Sequence, residues 1–254
     1  EYYALGIEAA GKVIGDPNYR LVASPEEVCT EVLAGNSAEG IFEVCYDDSR
    51  GEYKDFGSYI GGTVEKWPVL KGTTPASRRK FFIRNGTVER LYTPEDLRLQ
   101  AYFADFFRMK EEPVSVTQGA AYIRMWREVE YYSGGIYDGT PRTLLANDIL
   151  IRLPDILLLR AEMKAATGDR EGAVADLDVV RRRAGVAGYS EAEGDLRRAI
   201  QLERDRELLF QTGVRYFDYM RNHTYNLLKG GFRDLTETDV AGFVPAGISG
   251  CDEQ

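Results

Sequence analysis

One histidine, three cysteines, no excess of basic charge and no long apolar run: each of these shortages closes a class of function. With His223 as the single imidazole, the chain offers no multi-histidine metal site and no histidine-centred triad. Its position just past a predicted helix suits a polar residue facing the negative end of the helix dipole. Cys29, Cys45 and Cys251 are odd in number, widely spaced and free of any CxxC or Cys/His pattern. They read as buried free thiols, with a Cys29–Cys45 pair as the alternative. The formal charge of −9 denies nucleic acid the electropositive surface that phosphate binding needs. No stretch approaches the roughly 20 apolar residues of a membrane span. Neither a signal peptide nor a lipobox cysteine is visible, and no phosphate loop or catalytic constellation stands out.

What is present is a patterned stretch from Asn147 to Arg221. Ile149, Leu153, Ile156, Leu157, Arg160 and Ala161 recur at helical spacing, and Pro154 predicts a helix start, since proline is harmless in a first turn. Residues 147–152 then form an extended lead-in. Gly168-Asp169 ends this helix and caps the next, whose stripe is Ala173, Leu177 and Val180. Ala165, Ala166, Ala173 and Ala175 are small enough to let the two helices approach closely, making an αα-hairpin. A third helix is predicted from Asp195 to Asn222, bent or interrupted at Gly213. Along it Glu203–Arg206, Arg204–Glu207 and Asp218–Arg221 stand three apart, a spacing at which side chains meet on one face. These charges read as structural braces. The catalytic reading is weaker, because paired arginines hold a carboxylate ionised and unfit as a general acid.

The chain opens on an Ala-rich helix, residues 2–14, ended by Gly15-Asp16-Pro17, and Ile41–Tyr46 alternates well enough for a short strand. From 47 to 146 the character changes. Gly51, Gly57, Gly61-Gly62, Gly72 and Gly86 interleave with aromatics, predicting irregular loops and short strands. Within it, Thr93-Pro94-Glu95-Asp96 reads as the N-cap and first turn of a helix over 97–103, and 121–126 as a strand. Exposed Tyr and Trp on Gly-rich loops would suit the apolar faces of sugar rings; the plain alternative is that these aromatics pack loops onto a scaffold. Tyr59, before a Gly-Gly pair, and Trp67, beside Pro68, are the candidate ligand-binding residues.

The segments IRLPDILLLRAE, GDREGAVADLDVVRRRAGV, AIQLERDRELLF and GVRYFDYMR resemble the SusD/RagB family of outer-membrane nutrient-binding lipoproteins. Arg152, Asp155, Leu158, Ala161 and Glu162 match its first helix, and Arg181, Arg183, Ala184 and Gly185 its helix end. Glu203, Arg204, Glu207, Arg215, Phe217, Asp218 and Arg221 match the closing pair of motifs. The opening helix and Asn36-Ser37-Ala38-Glu39-Gly40-Ile41-Phe42-Glu43 fit more loosely.

The resemblance implies a mainly α fold of tetratricopeptide-like helix pairs, with an irregular loop-rich lobe and a few short strands. It divides the chain into 1–46, a helix plus extended segment; 47–146, the aromatic lobe; 147–225, the repeat-like helices; and 226–254, a tail. It also implies a family member about twice this length, with a preceding portion that carries a lipid anchor to the outer membrane. The function expected is capture of glycans, or less often peptides, at the cell surface for a TonB-dependent, SusC-like transporter. No catalytic residue, metal ligand or cofactor is assigned. The alternatives are a helical-repeat scaffold that binds only protein and, weakest, a glycoside hydrolase.

Overall fold

A computed structural model describes residues 1–46, 50, 83–114, 119–125, 147–211 and 214–222. In chain order its elements are α1 (Tyr2–Ile14), α2 (Pro25–Glu27, running on into a π-helical turn Val28–Val32), β1 (Gly40–Val44), β2 (Ile83–Arg84), α3 (Asn85–Leu91), α4 (Leu97–Tyr102), α5 (Phe106–Met109), β3 (Ala120–Ala121), β4 (Asp148–Arg152), α6 (Leu153–Thr167), α7 (Arg170–Arg183), α8 (Leu196–Glu207) and α9 (Val214–Arg221). The fold is mainly helical, with short strands, as expected. Residues Glu1–Glu207 form one compact unit and Leu208–Gln254 another.

The helical hairpin follows its sequence signals closely. Pro154 lies in the first turn of α6, where no intrahelical N–H is needed. Gly168 ends the helix in the left-handed conformation (φ 89°), and the Asp169 side chain accepts from Gly172 N at 2.9 Å to cap α7. Leu153, Leu157, Leu158 and Ala161 of α6 bury against Ala173, Leu177 and Val180 of α7 and Leu196, Ala199 and Ile200 of α8. Each buried leucine contributes about 1.5–3 kcal/mol relative to exposure, so this shared stripe is the main apolar cohesion of the helices. Of the alanines expected at the hairpin contact, Ala173 is fully buried, while Ala175 is exposed; Ala161 takes that role from the other helix. Asp176 joins the pair laterally, bridging Arg160 at 2.7 Å and Lys164 at 2.9 Å.

The opening helix α1 packs along α6 in antiparallel fashion, Gly6 against Met163 and Gly11 against Arg160. A Cβ at Gly6 would meet the Met163 thioether, the flexible end of that side chain, which would have to move aside. The lead-in to α6 is strand β4, paired antiparallel with β1 from Gly40↔Arg152 to Val44↔Asp148. Strands β2 and β3 form a second, two-residue antiparallel pair, Ile83↔Ala121 and Arg84↔Ala120. The strand expected over 121–126 is shorter than the pattern suggested: β3 stops at Ala121, and Ile123 adds one isolated bridge to Phe103.

Four local expectations need correction. The cap of α4 is Asp96, whose side chain accepts from Arg98 N at 2.9 Å; Thr93 begins the preceding turn instead. The third helix is interrupted, as expected, but α8 already ends at Glu207, ahead of Gly213, which lies outside the described residues, and α9 begins at Val214. Tertiary contacts account for that stop. Tyr92 OH donates to Arg206 O at 2.8 Å, and Arg152 Nη2 donates to Glu207 O, satisfying carbonyls that a continuing helix would have used. Phe210 then takes a left-handed φ of 61°. Third, Arg204 and Glu207 do not pair with each other; their partners are described below. Fourth, Cys29 is a buried free thiol, but Cys45 is free and exposed. Cys251 and His223 lie outside the described residues.

Candidate functional site

Eight charged side chains meet in the interior of the Glu1–Glu207 unit: Glu39, Asp96, Glu203 and Glu207 with Arg98, Arg152, Arg181 and Arg183, all buried. Glu39, in the turn before β1, accepts from Arg152 at 2.6 Å, from Arg183 at 2.9 Å and from the Val22 N–H at 3.0 Å. Glu207, at the end of α8, receives Arg152 at 2.7 Å, Arg98 at 3.3 Å and a short contact from Arg183. Glu203, one turn earlier, takes Arg98 at 2.6 Å and Arg206 and Arg181 at 3.4 Å each. Asp96 holds the other edge of Arg98 at 2.8 Å. Nearby, Arg204 bridges to Asp155 at 2.7 Å and donates to its backbone oxygen.

Four carboxylates against four guanidiniums make this lattice neutral as a whole, which is the condition for burying so much charge. Burial alone would raise the Glu207 carboxyl above the ordinary value, but Arg183, Arg152 and Arg98 hold it down to about 2. Burial likewise works to lower the Arg98 guanidinium, and Glu203 and Asp96 keep it well above its usual value. Desolvation pushes the enclosed Tyr92 and Tyr102 hydroxyls upward, so both remain neutral. Glu207, this firmly ionised and this inaccessible, does not act as a general acid, and its carboxylate neighbours Glu39, Asp96 and Glu203 are buried with it. Their work is to tie α4, β4, α7, α8 and the β1 turn together.

The lattice opens to solvent on one side. Where α4 begins, beside the turn after α7, lies a cleft of about 430 Å³. Arg181 forms the boundary: buried, it meets Glu203 on the inner side and clasps Glu193 on the outer side at 2.8 and 3.0 Å. Burial works to lower this guanidinium, but Glu193 and Glu203 raise it, while the Arg181 clasp lowers the Glu193 carboxyl despite partial burial. Gly185 shapes the floor. Its φ of +73° is a conformation that residues with a Cβ rarely take, and a Cβ there would lie 2.8 Å from Leu97 Cγ.

The lattice gathers residues that the sequence singled out separately. Arg152, Arg181, Arg183, Glu203 and Glu207 belong to three different motifs, and Glu39 to the looser opening one, yet all share one interior. Asp96 and Arg98 went unnoticed as members. Their signal is a cap residue two positions before an arginine on an otherwise apolar helix. Tyr59 and Trp67, the predicted ligand residues, lie outside the described residues.

The SusD family model matches residues 38–241. The chain belongs to the SusD family. Among solved structures, a SusD homologue from Bacteroides thetaiotaomicron aligns with a TM-score of 0.70 at 23% identity, covering 89% of this chain and 46% of that one. Surface glycan-binding protein A from the same organism aligns at 0.68 and 19% identity, covering 93% and 55%. The structure of surface glycan-binding protein A from that organism in complex with laminarihexaose aligns at 0.64 and 22%, covering 89% and 51%. No curated protein matches. At these identities the likeness is one of fold, and this SusD-family chain spans about half the length of the structures it matches. Its lattice residues lie within the matched range, from Glu39 to Glu207.

Proposed function

We propose that this chain belongs to a surface nutrient-binding protein that captures glycans at the outer membrane and passes them to a TonB-dependent, SusC-like transporter. The observation that carries the reading is membership of the SusD family over residues 38–241. Likeness of fold to surface glycan-binding protein A, one structure of which holds laminarihexaose, supports the glycan as ligand. In this reading the helices and their charge lattice are scaffold, a lipid anchor holds the protein to the membrane, and the aromatic segment 47–146 supplies the ligand surface. Tyr59 and Trp67 stack on sugar rings, and the bound glycan leaves unaltered.

Affinity gel electrophoresis against a panel of soluble polysaccharides, with laminarin included, tests this. Retardation by at least one polysaccharide is expected, with the ligand recovered at its original length. Loss of one stacking contact worth about 1.4 kcal/mol weakens binding about tenfold, so Trp67→Ala should reduce the retardation strongly and Tyr59→Ala similarly. Migration unchanged in every gel, together with stable capture of a protein partner alone, would favour a helical scaffold without a nutrient. Release of shortened sugars would point to a hydrolase.

A further inference from the structure

The cleft beside Arg181 differs from the lattice behind it in how its polar groups are used. Arg206 donates through Nε to Leu91 O and through Nη1 to Glu203 at 3.4 Å, and its Nη2 has no partner among the described residues. Glu95 and the Thr93 hydroxyl, both exposed, have no partner among the described residues. Glu193 accepts twice from Arg181 and once from Ser190 N at 3.1 Å, and its carboxylate remains part-exposed at the rim. Between these groups the floor is apolar backbone and small side chains, Gly185, Val186 and Ala187.

Free donors and free acceptors around a small apolar floor fit a neutral polyhydroxylated ring. Its hydroxyls both donate and accept, and its C–H faces need an apolar seat. A small anion fits poorly. Arg181 is already clasped by Glu193, and Glu95 adds an uncompensated negative charge at the entrance. The volume of about 430 Å³ lies within the range of about 300–1,000 Å³ typical of small-molecule sites. We propose that this cleft is an accessory site for one sugar residue, formed by Thr93, Glu95, Glu193 and Arg206 over the Gly185–Ala187 floor. Neither Tyr59 nor Trp67 is among its described lining residues. The inference deepens the glycan-binding reading and rests on it.

With no aromatic ring among its described lining residues, the cleft should bind weakly, with a Kd on the order of 1–10 mM for a single ring. The test is a two-dimensional amide NMR titration of the whole chain with D-glucose, D-galactose, D-mannose and N-acetyl-D-glucosamine. At least one of these should shift the amides of Gly185, Val186 and Ala187 saturably. Ala187→Leu, at an exposed position, should abolish those shifts by filling the floor without adding a ring, and Glu95→Ala should weaken them about threefold or more. Melting curves of both variants confirm that the fold is retained.

Absence of shifts at these amides up to about 100 mM of all four sugars, well above the expected Kd, would overturn the proposal; so would shifts that persist unchanged in Ala187→Leu. Polysaccharide retardation without cleft shifts removes the accessory site and leaves the glycan reading standing. Cleft shifts without retardation keep the site and remove that reading. Shifts that appear with free monosaccharides but not with reducing-end-blocked oligosaccharides assign the site to free sugar rather than to a chain end.

Discussion

The lattice and the cleft are built from the same residue types and even share Arg181, yet they do opposite things. Inside, the charged groups are buried against one another, although the Nε of Arg152, Arg181 and Arg183 has no hydrogen-bond partner among the described residues. Glu203 and Glu207 are completely buried, and each touches three arginines. A few ångströms outward, Glu95, Thr93 and one edge of Arg206 stand open. Burial, rather than residue identity, decides whether an Arg/Glu cluster is scaffold or binding surface. A charge-rich motif in a sequence is therefore a poor guide to function until its burial is known.

The largest effect should come from breaking the lattice at its most connected carboxylate. Glu207→Ala leaves Arg98, Arg152 and Arg183 short of a counter-charge, and removing one partner of a buried ion pair costs about 3–5 kcal/mol. Denaturant melts should register that loss, and a change below about 1 kcal/mol would mean that water reaches the site. Acid should act through the same group. The Glu207 carboxyl is held at about 2 against an ordinary value of 4.5. The unfolded chain therefore takes up this proton first as pH falls. Its contribution is fully present above about 4.5 and is lost as pH drops toward about 2. Melting temperature measured from pH 6 to pH 2 should fall across that window, and less steeply in Glu207→Ala.

Between lattice and cleft, Gly185→Ala forces a Cβ into a left-handed residue and against Leu97. A loss of about 1–2 kcal/mol is expected from the conformation alone. Stability unchanged by calorimetry would show that the turn can relax. The smallest effect should be Glu95→Gln on the cleft rim, within about 0.5 kcal/mol of wild type in the same melts, because the group is exposed and supports nothing.

Much of the scaffold could be read from the chain itself. Pro154 and Gly168-Asp169 marked the ends of α6 and the start of α7 because caps act locally, through one side chain and a few backbone groups. The alternation after Gly40 likewise predicted β1. The stop at Glu207 was not legible, since the groups that satisfy its last carbonyls are Tyr92 and Arg152, 114 and 55 residues away from the carbonyls they bind. Spacing of three found Glu203–Arg206 and Asp218–Arg221 correctly, at 3.4 and 2.9 Å. It failed for Arg204 and Glu207, because helical spacing only nominates neighbours: Arg204 is taken by Asp155 of α6, and Glu207 by Arg98, Arg152 and Arg183 from other elements. The cleft had no signature at all. Its residues come from the turn before α4, the turn after α7 and the end of α8, brought together by the lattice beneath them.

Five signature charges of this SusD-family chain, Arg152, Arg181, Arg183, Glu203 and Glu207, join Glu39, Asp96 and Arg98 in one interdependent lattice. That interdependence is tested most directly by a double-mutant cycle between Glu39 and Glu207, which share Arg152 and Arg183 as partners. Unfolding free energies would be measured for Glu39→Gln, Glu207→Gln and the double variant. The account predicts a coupling of about 1 kcal/mol or more between the two substitutions, whereas additivity within about 0.3–0.5 kcal/mol, the behaviour of independent sites, would contradict it.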